Sequence, residues 1–172
     1  ILPSMVMSPE LREKFPSIKA YKGIAVNDPS ITANFTSSDN ALYVMISSPD
    51  VNEYINTQKD NPKFLIKSRR PASFIPSSLP EALMSERKSA GFDSILAVRE
   101  FLITRRTFRI AVAATGEYTR FHGGKINAMT AIITTIGNVN TTYESELGIS
   151  FTLVGGNGDL LFDNPDTDNL SN

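Results

Sequence analysis

The sequence predicts a mixed fold, α+β with an α/β portion: a small antiparallel β-meander followed by one βαβ unit. Three observations predict it. Between residues 21 and 67, short apolar runs such as ALYVMI and KFLIK alternate with the clusters NDPS, SSDN, SSPD and KDNP. Asp and Asn accept tight turns and Pro presets φ, so this alternation reads as strands joined by turns. Further along, TFRIAVAA alternates like a strand, and KINAMTAIITTIGNVNTTYESEL repeats its apolar residues at helical spacing. GISFTLV then alternates again. Strand, crossover helix, strand is a βαβ unit, expected right-handed and parallel.

The elements follow in order. SPELREKF, residues 8–15, reads as a short helix, with Ser8 as N-cap and Pro9 at the first helical position. The meander follows, with weaker strand signals at ITANF and NEYI. This first block spans residues 1–67. A second stretch, 68–105, opens with SRRPASFIPSSLP, whose prolines and serines are linker chemistry. LPEALMSERKSAG then reads as a short helix stopped by Gly91, and DSILAVREFLITRR fits helix or strand equally.

The third block, 106–172, carries the clearest pattern. In TFRIAVAA, residues 107–114, Phe108, Ile110, Val112 and Ala114 share one face, and Arg109, Ala111 and Ala113 the other. Small residues on the second face predict a strand covered on both sides. His122, Gly123 and Gly124 form a structural turn that lets this strand leave the sheet and start the helix. In the helix, 125–147, the stripe is Ile126, Met129, Ile133, Ile136, Tyr143 and Leu147, widened by Ile132 and Val139, with Gly148 at the left-handed stop. Gly137 inside it costs about 1 kcal/mol relative to Ala, which predicts a close neighbour there. One further apolar run, LLF, lies among the acidic turn residues of the tail. A βαβ unit with one added hairpin or edge strand is a thin core, so the domain is expected to continue beyond Asn172.

Composition narrows the functional classes. At 172 residues the chain is one domain or two small ones. A formal net charge of −1 gives no electrostatic case for nucleic acid or an anionic membrane, and the pairs Arg69-Arg70 and Arg105-Arg106 are too short to form a patch. There is no Cys, which excludes disulfides, thiolate metal sites and a cysteine nucleophile. No apolar run approaches the ~20 residues of a membrane span. The opening ILPSMVMSPE has neither a basic n-region nor an initiator Met, which predicts a processed or truncated chain.

The residues do not assemble an active site by themselves. Catalytic zinc needs three protein ligands, and the chain has one His, His122. Beside two glycines it reads as a turn residue bonded to the backbone. GGNGD, 155–159, lacks a GK[ST] ending and reads as a hairpin or loop turn. DNPDTDN, 163–169, lacks the Gly and distal Glu of an EF-hand and reads as a solvated acidic loop. NFT, NTT and NLS match the glycosylation sequon but are short, and the middle one falls in a helix.

From Arg106 through Asp168, AATGEYT, FHGG, the VN…YE…LGI closure of the helix and the DTD loop together resemble the opening of the reprolysin-like zinc metallopeptidase domain of secreted bacterial proteins. Gly137-Asn138, where Asn-Arg is usual, and DTDN, where DTDP is usual, depart from that pattern. MSPELREKFPSIKAYKGIAVNDPS is similar, more loosely, to the propeptide preceding such domains. The resemblance implies a βαβ unit that begins a metzincin-type catalytic domain, behind a propeptide that supports folding and latency. It implies a secreted or cell-surface bacterial zymogen. The intact hydrolase would cleave protein or peptide substrates with zinc-activated water and a Glu as base.

The family's HExxHxxGxxH lies downstream of the DTD loop, so no catalytic or metal residue carries over to this chain. This chain alone is expected to be inactive, with no zinc bound to it. Its partner is the remainder of the catalytic domain. Without Cys, latency would fall to a carboxylate on the metal, and Asp93 is the candidate, against a plain helix-cap or turn role after Gly91. Arg105 and Arg106 are the candidate processing site, against two simply solvated arginines. The alternative is a non-enzymatic secreted or cell-surface binding or inhibitory module derived from the peptidase's N-terminal half.

Overall fold

The computed structural model describes residues 1–58, 61–71, 106–166 and 168. Two sheets are present among them. The first has six strands in sequential order, each antiparallel to the next: β1 (Leu2–Pro3), β2 (Lys19–Ile24), β3 (Thr32–Ser38), β4 (Ala41–Ser47), β5 (Val51–Gln58) and β6 (Asn61–Pro71). The second is a parallel pair, β7 (Arg106–Ile110) and β8 (Ile149–Leu153). The helices are α1 (Pro9–Lys14), α2 (Gly116–His122) and α3 (Lys125–Leu147), and a 3-10 turn spans Gly155–Leu160.

The meander is built as its turn chemistry implies. Asp28 Oδ1 accepts from the Ser30 amide at 3.0 Å and hydroxyl at 2.6 Å, closing the NDPS turn between β2 and β3. That same pair of bonds, hydroxyl first, holds the Asp28 carboxyl below its ordinary pKa. The strand count is higher than the sequence signals suggested, because polar runs such as NTQ still complete the ladder. Ser68–Pro71, of linker composition, continue β6. The proposed helix at 79–91 and the segment after it lie outside the described residues.

Helix α1 obeys its caps. The Ser8 hydroxyl accepts the Leu11 amide at 3.3 Å, and Leu11 is the buried residue of its face. Helix α3 has the bounds its periodicity predicts and stops at Gly148, φ 66°. Its buried face differs from the expected stripe. Ala128, Met129, Ile132, Ile133, Gly137, Asn140 and Thr141 are inside, whereas Ile126, Tyr143 and Leu147 are exposed. The stripe drifts because the C-terminal half of α3 packs on β3 through small and polar residues rather than apolar ones. Asn34 donates from Nδ2 to the Gly137 carbonyl at 3.0 Å and also bonds the Thr141 hydroxyl. Lys22 pairs with Glu144 alongside.

Two expectations for the third block need correction. The first strand ends at Ile110, not Ala114, and it is not covered on both sides: residues 106–109 are exposed, Phe108 at 46%. Nor does the HGG turn lead from strand to helix. The seven-residue helix α2 intervenes, capped by Thr115, and HGG joins two helices, with Gly123 at φ 79° and Gly124 at φ 117°.

The two blocks share one core. Val6, Met7, Leu11 and Ile18 cluster with Ala114, Ala128, Met129, Ile132, Ile133, Leu153 and Leu161. Residues 5–8 also lie along the free edge of β8. The Leu153 amide donates to Val6 O at 2.8 Å, the Ser8 amide to Leu153 O at 3.1 Å, and Met7 bridges Leu153 in parallel.

Gly137 has no close neighbour for a side chain to strike, contrary to expectation: an added Cβ would meet nothing within 4 Å. Its backbone is approached only at the carbonyl. Gly137→Ala is therefore expected to raise stability by about 1 kcal/mol, the helix-propensity difference, read as a higher urea midpoint at unchanged slope.

Candidate functional site

The residues after β7 form a tightly bonded junction with the tail. Asn157 is fully buried and serves Val112 as a strand would: the Val112 amide donates to Oδ1 at 2.7 Å, and Nδ2 donates to Val112 O at 3.2 Å. Two residues on, the Ala114 amide donates to Leu160 O and the Phe162 amide to Ala114 O, both at 3.0 Å. LLF is thus a single parallel bridge between Leu161 and Ala114, not a hairpin.

Helix α2 starts against the acidic loop. The Thr115 hydroxyl accepts the Tyr118 amide at 3.3 Å. The Gly116 amide donates to Asp168 Oδ2 at 2.6 Å, and Asp168 is 6% exposed. A Cβ on Gly116 would stand 2.2 Å from the Pro165 nitrogen, so only glycine admits the loop. Within DNPDTDN, Asn164 Oδ1 accepts the Asp166 amide at 3.0 Å, and Asp163 pairs with Lys125 at 3.1 Å. The loop is therefore not wholly solvated: its last described Asp is a buried cap. Asn157 and Asp168 are the residues that sequence reasoning missed. Nothing distinguishes them locally from turn Asn and loop Asp.

His122 occupies the last turn of α2. Its ring centroid lies 4.4 Å from that of Tyr118 and 5.1 Å from that of Phe121, the latter edge-on. This is aromatic packing at a helix end, ahead of the Gly123-Gly124 junction. Arg106 opens β7, exposed, with its amide donating to Gly148 O at 2.8 Å. Asp93 and Arg105 lie outside the described residues. Among the described residues, no group of three or more His, Cys, Asp or Glu could hold a metal ion.

An apolar groove of about 330 Å³ runs between the segment after β7 and α3, lined by Val112, Ala113, Thr115, Tyr118, Ile132 and Ile136. Burial pushes the Tyr118 phenol above its ordinary pKa, with Tyr43 adding to the shift. Folded Tyr118 thus keeps its proton where the unfolded chain loses it. Its contribution is intact below about pH 10, the ordinary Tyr value, and falls as pH rises past it. Tyr118→Phe should flatten the alkaline limb of a stability–pH curve; an unchanged limb would place the effect elsewhere.

Two sequons are structurally spent. Asn34 is tied to α3, and Asn140, 7% exposed, accepts the Phe151 amide at 2.7 Å and donates to Phe151 O at 2.8 Å. Asn169 lies outside the described residues.

No curated protein and no solved structure matches the chain. Residues 104–172, less than half of the chain, match the family described as metallo-peptidase family M12B, reprolysin-like. That family implies zinc in an intact enzyme, and the described residues here do not supply a site for it. The segment containing β7, α2, α3 and β8 is thus similar to reprolysin-like metallopeptidases.

Proposed function

We propose that the chain is the propeptide and N-terminal catalytic-domain portion of a secreted bacterial zinc-dependent endopeptidase. In this reading, the propeptide-like block, residues 1–67, supports folding and latency. The family match over residues 104–172 carries the reading. Two features support it: the exposed Phe108 side chain on β7 and the apolar groove beside Val112 and Ile136, both suited to further packing. The rest of the catalytic domain is the partner for those surfaces, and peptide-bond hydrolysis belongs to the intact protein.

Processing would fall at Arg105-Arg106. Arg106 is already paired within β7, opposite Ile149. Cleavage after Arg105 preserves that pairing, whereas cleavage after Arg106 removes a strand residue. N-terminal sequencing of the mature enzyme should therefore begin at Arg106; a start elsewhere removes the site. Asp93→Ala in the full precursor should speed activation, and unchanged latency would remove Asp93 from the mechanism.

The test of the whole reading is the reading frame beyond Asn172. It should carry HExxHxxGxxH, and its product should cleave peptides in a reaction stopped by a chelator and restored by zinc. The second reading, a non-enzymatic binding or inhibitory module, draws on the core shared by both blocks. A reading frame without the motif, with a product that binds a protein ligand, would favour it.

A further inference from the structure

The turn Gly155–Leu160 carries three glycines at 155, 156 and 158, and none is required by the backbone. The glycines at positive φ are Gly123, Gly124 and Gly148. The other three sit in conformations open to any residue. Two of them are needed for space instead. A Cβ on Gly155 would lie 2.7 Å from Glu10 Cβ, and one on Gly158 would lie 2.8 Å from Phe15 Cε2. Both obstructing residues belong to α1 and its C-cap. Gly156 differs, since its nearest neighbour is Asp159 Oδ2 at 3.9 Å, on the same turn. Helix α1 therefore lies against this turn at a distance that only glycine allows.

The adjoining contacts extend the same seat. Residues 5–8 add to the β8 edge through two backbone hydrogen bonds, and the Thr152 hydroxyl donates to Met5 O at 2.8 Å. Val6, Met7 and Leu11 are buried in the core they share with Leu153 and Leu161. At the rim, Lys14 pairs with Asp159 at 3.1 Å. Strand-like addition supplies main-chain bonds, and the buried Val6, Met7 and Leu11 side chains supply selectivity.

We propose that the Gly155–Leu160 turn and the outer edge of β8 form a built receptor for the segment Met5–Phe15, which stays bound as a separate chain once the polypeptide is cut between its blocks. The partner is the protein's own N-terminal segment, or a peptide of the same pattern: an extended apolar pair, a Ser-Pro helix start and a buried Leu one turn later. This deepens the propeptide reading by naming what holds that block. Its readout is retention of a fragment, not peptide hydrolysis, so the peptidase reading can fail without it.

The test inserts a specific protease recognition sequence between residues 80 and 81 of the full chain, which is folded and then cut. The two pieces are expected to co-elute in size exclusion; immediate separation would overturn the proposal. In the cut protein, Gly155→Ala should speed release of the N-terminal piece by about tenfold or more, the scale of an overpacked contact, while Gly156→Ala leaves it unchanged. Equal release from both variants would overturn the seat. Should Gly155→Ala prevent folding before the cut, Lys14→Glu provides a milder probe. It should speed release by about two- to fivefold at low salt, as an exposed ion pair allows. Adding Asp159→Lys should restore the original rate, and failure of that rescue would count against α1 docking on this turn.

Discussion

Leu11→Ala is expected to lower the stability of the whole described chain by about 2 to 5 kcal/mol, the range for truncating a fully buried Leu. Leu11 is 0% exposed and clusters with Met129, Ile133 and Leu153, residues far away in sequence. The loss should therefore appear in α3 and β8, not only in α1. Urea unfolding followed by helix signal gives the magnitude, and hydrogen exchange of the α3 amides gives the location. If protection falls only in the first fifteen residues or so, the blocks are energetically separate and the shared core is not cooperative. Ile24 supplies the contrast: at 61% exposure, its truncation should stay within about 0.5 kcal/mol.

Gly116→Ala should cost about 3 kcal/mol or more, the upper end of the range for overpacking. The obstruction is backbone, at 2.2 Å from Pro165 N and 2.4 Å from the Asn164 carbonyl carbon, so no rotamer change relieves it. Moving the loop would also break the bond from the Gly116 amide to the buried Asp168 carboxylate. Thermal unfolding measures the loss. The comparison is Asp168→Asn, which weakens the same bond without the clash and should cost less. Equal effects would mean that loss of the hydrogen bond, not the close approach, accounts for the cost.

These outcomes bear on what could be read from residues alone. The bounds of helix α3 were legible because its long run of helical spacing ends at a left-handed glycine, although its buried face was not. Helix α1 was legible through Ser8 and Pro9. Helix α2 was not, although Thr115, Glu117 and Gly123 mark both its ends: seven residues hold too few apolar positions to show a period. The meander was visible as strands and turns, but its polar strands were hidden because ladder pairing needs no hydrophobic residue.

The junction was harder still. Asn157 copies a strand's bonds to Val112, and Gly155 and Gly158 are shaped by a helix some 145 positions away, the separation of Lys14 from Asp159. Neither leaves a local trace. His122, read as a turn residue, is the last residue of a helix that the sequence did not reveal, not the exit of a strand.

The link between Met5 and Thr152 closes over 147 positions of chain. During synthesis at roughly 5 to 20 residues per second, the first of these emerges about 7 to 30 s before the second. For that interval Val6, Met7 and Leu11 have no place to go, and the meander forms around local hairpins while they wait. Loop closure of that length is a slow, entropy-limited step. Val6, Met7 and Leu11 therefore reach their buried places only after the β8 edge has left the ribosome.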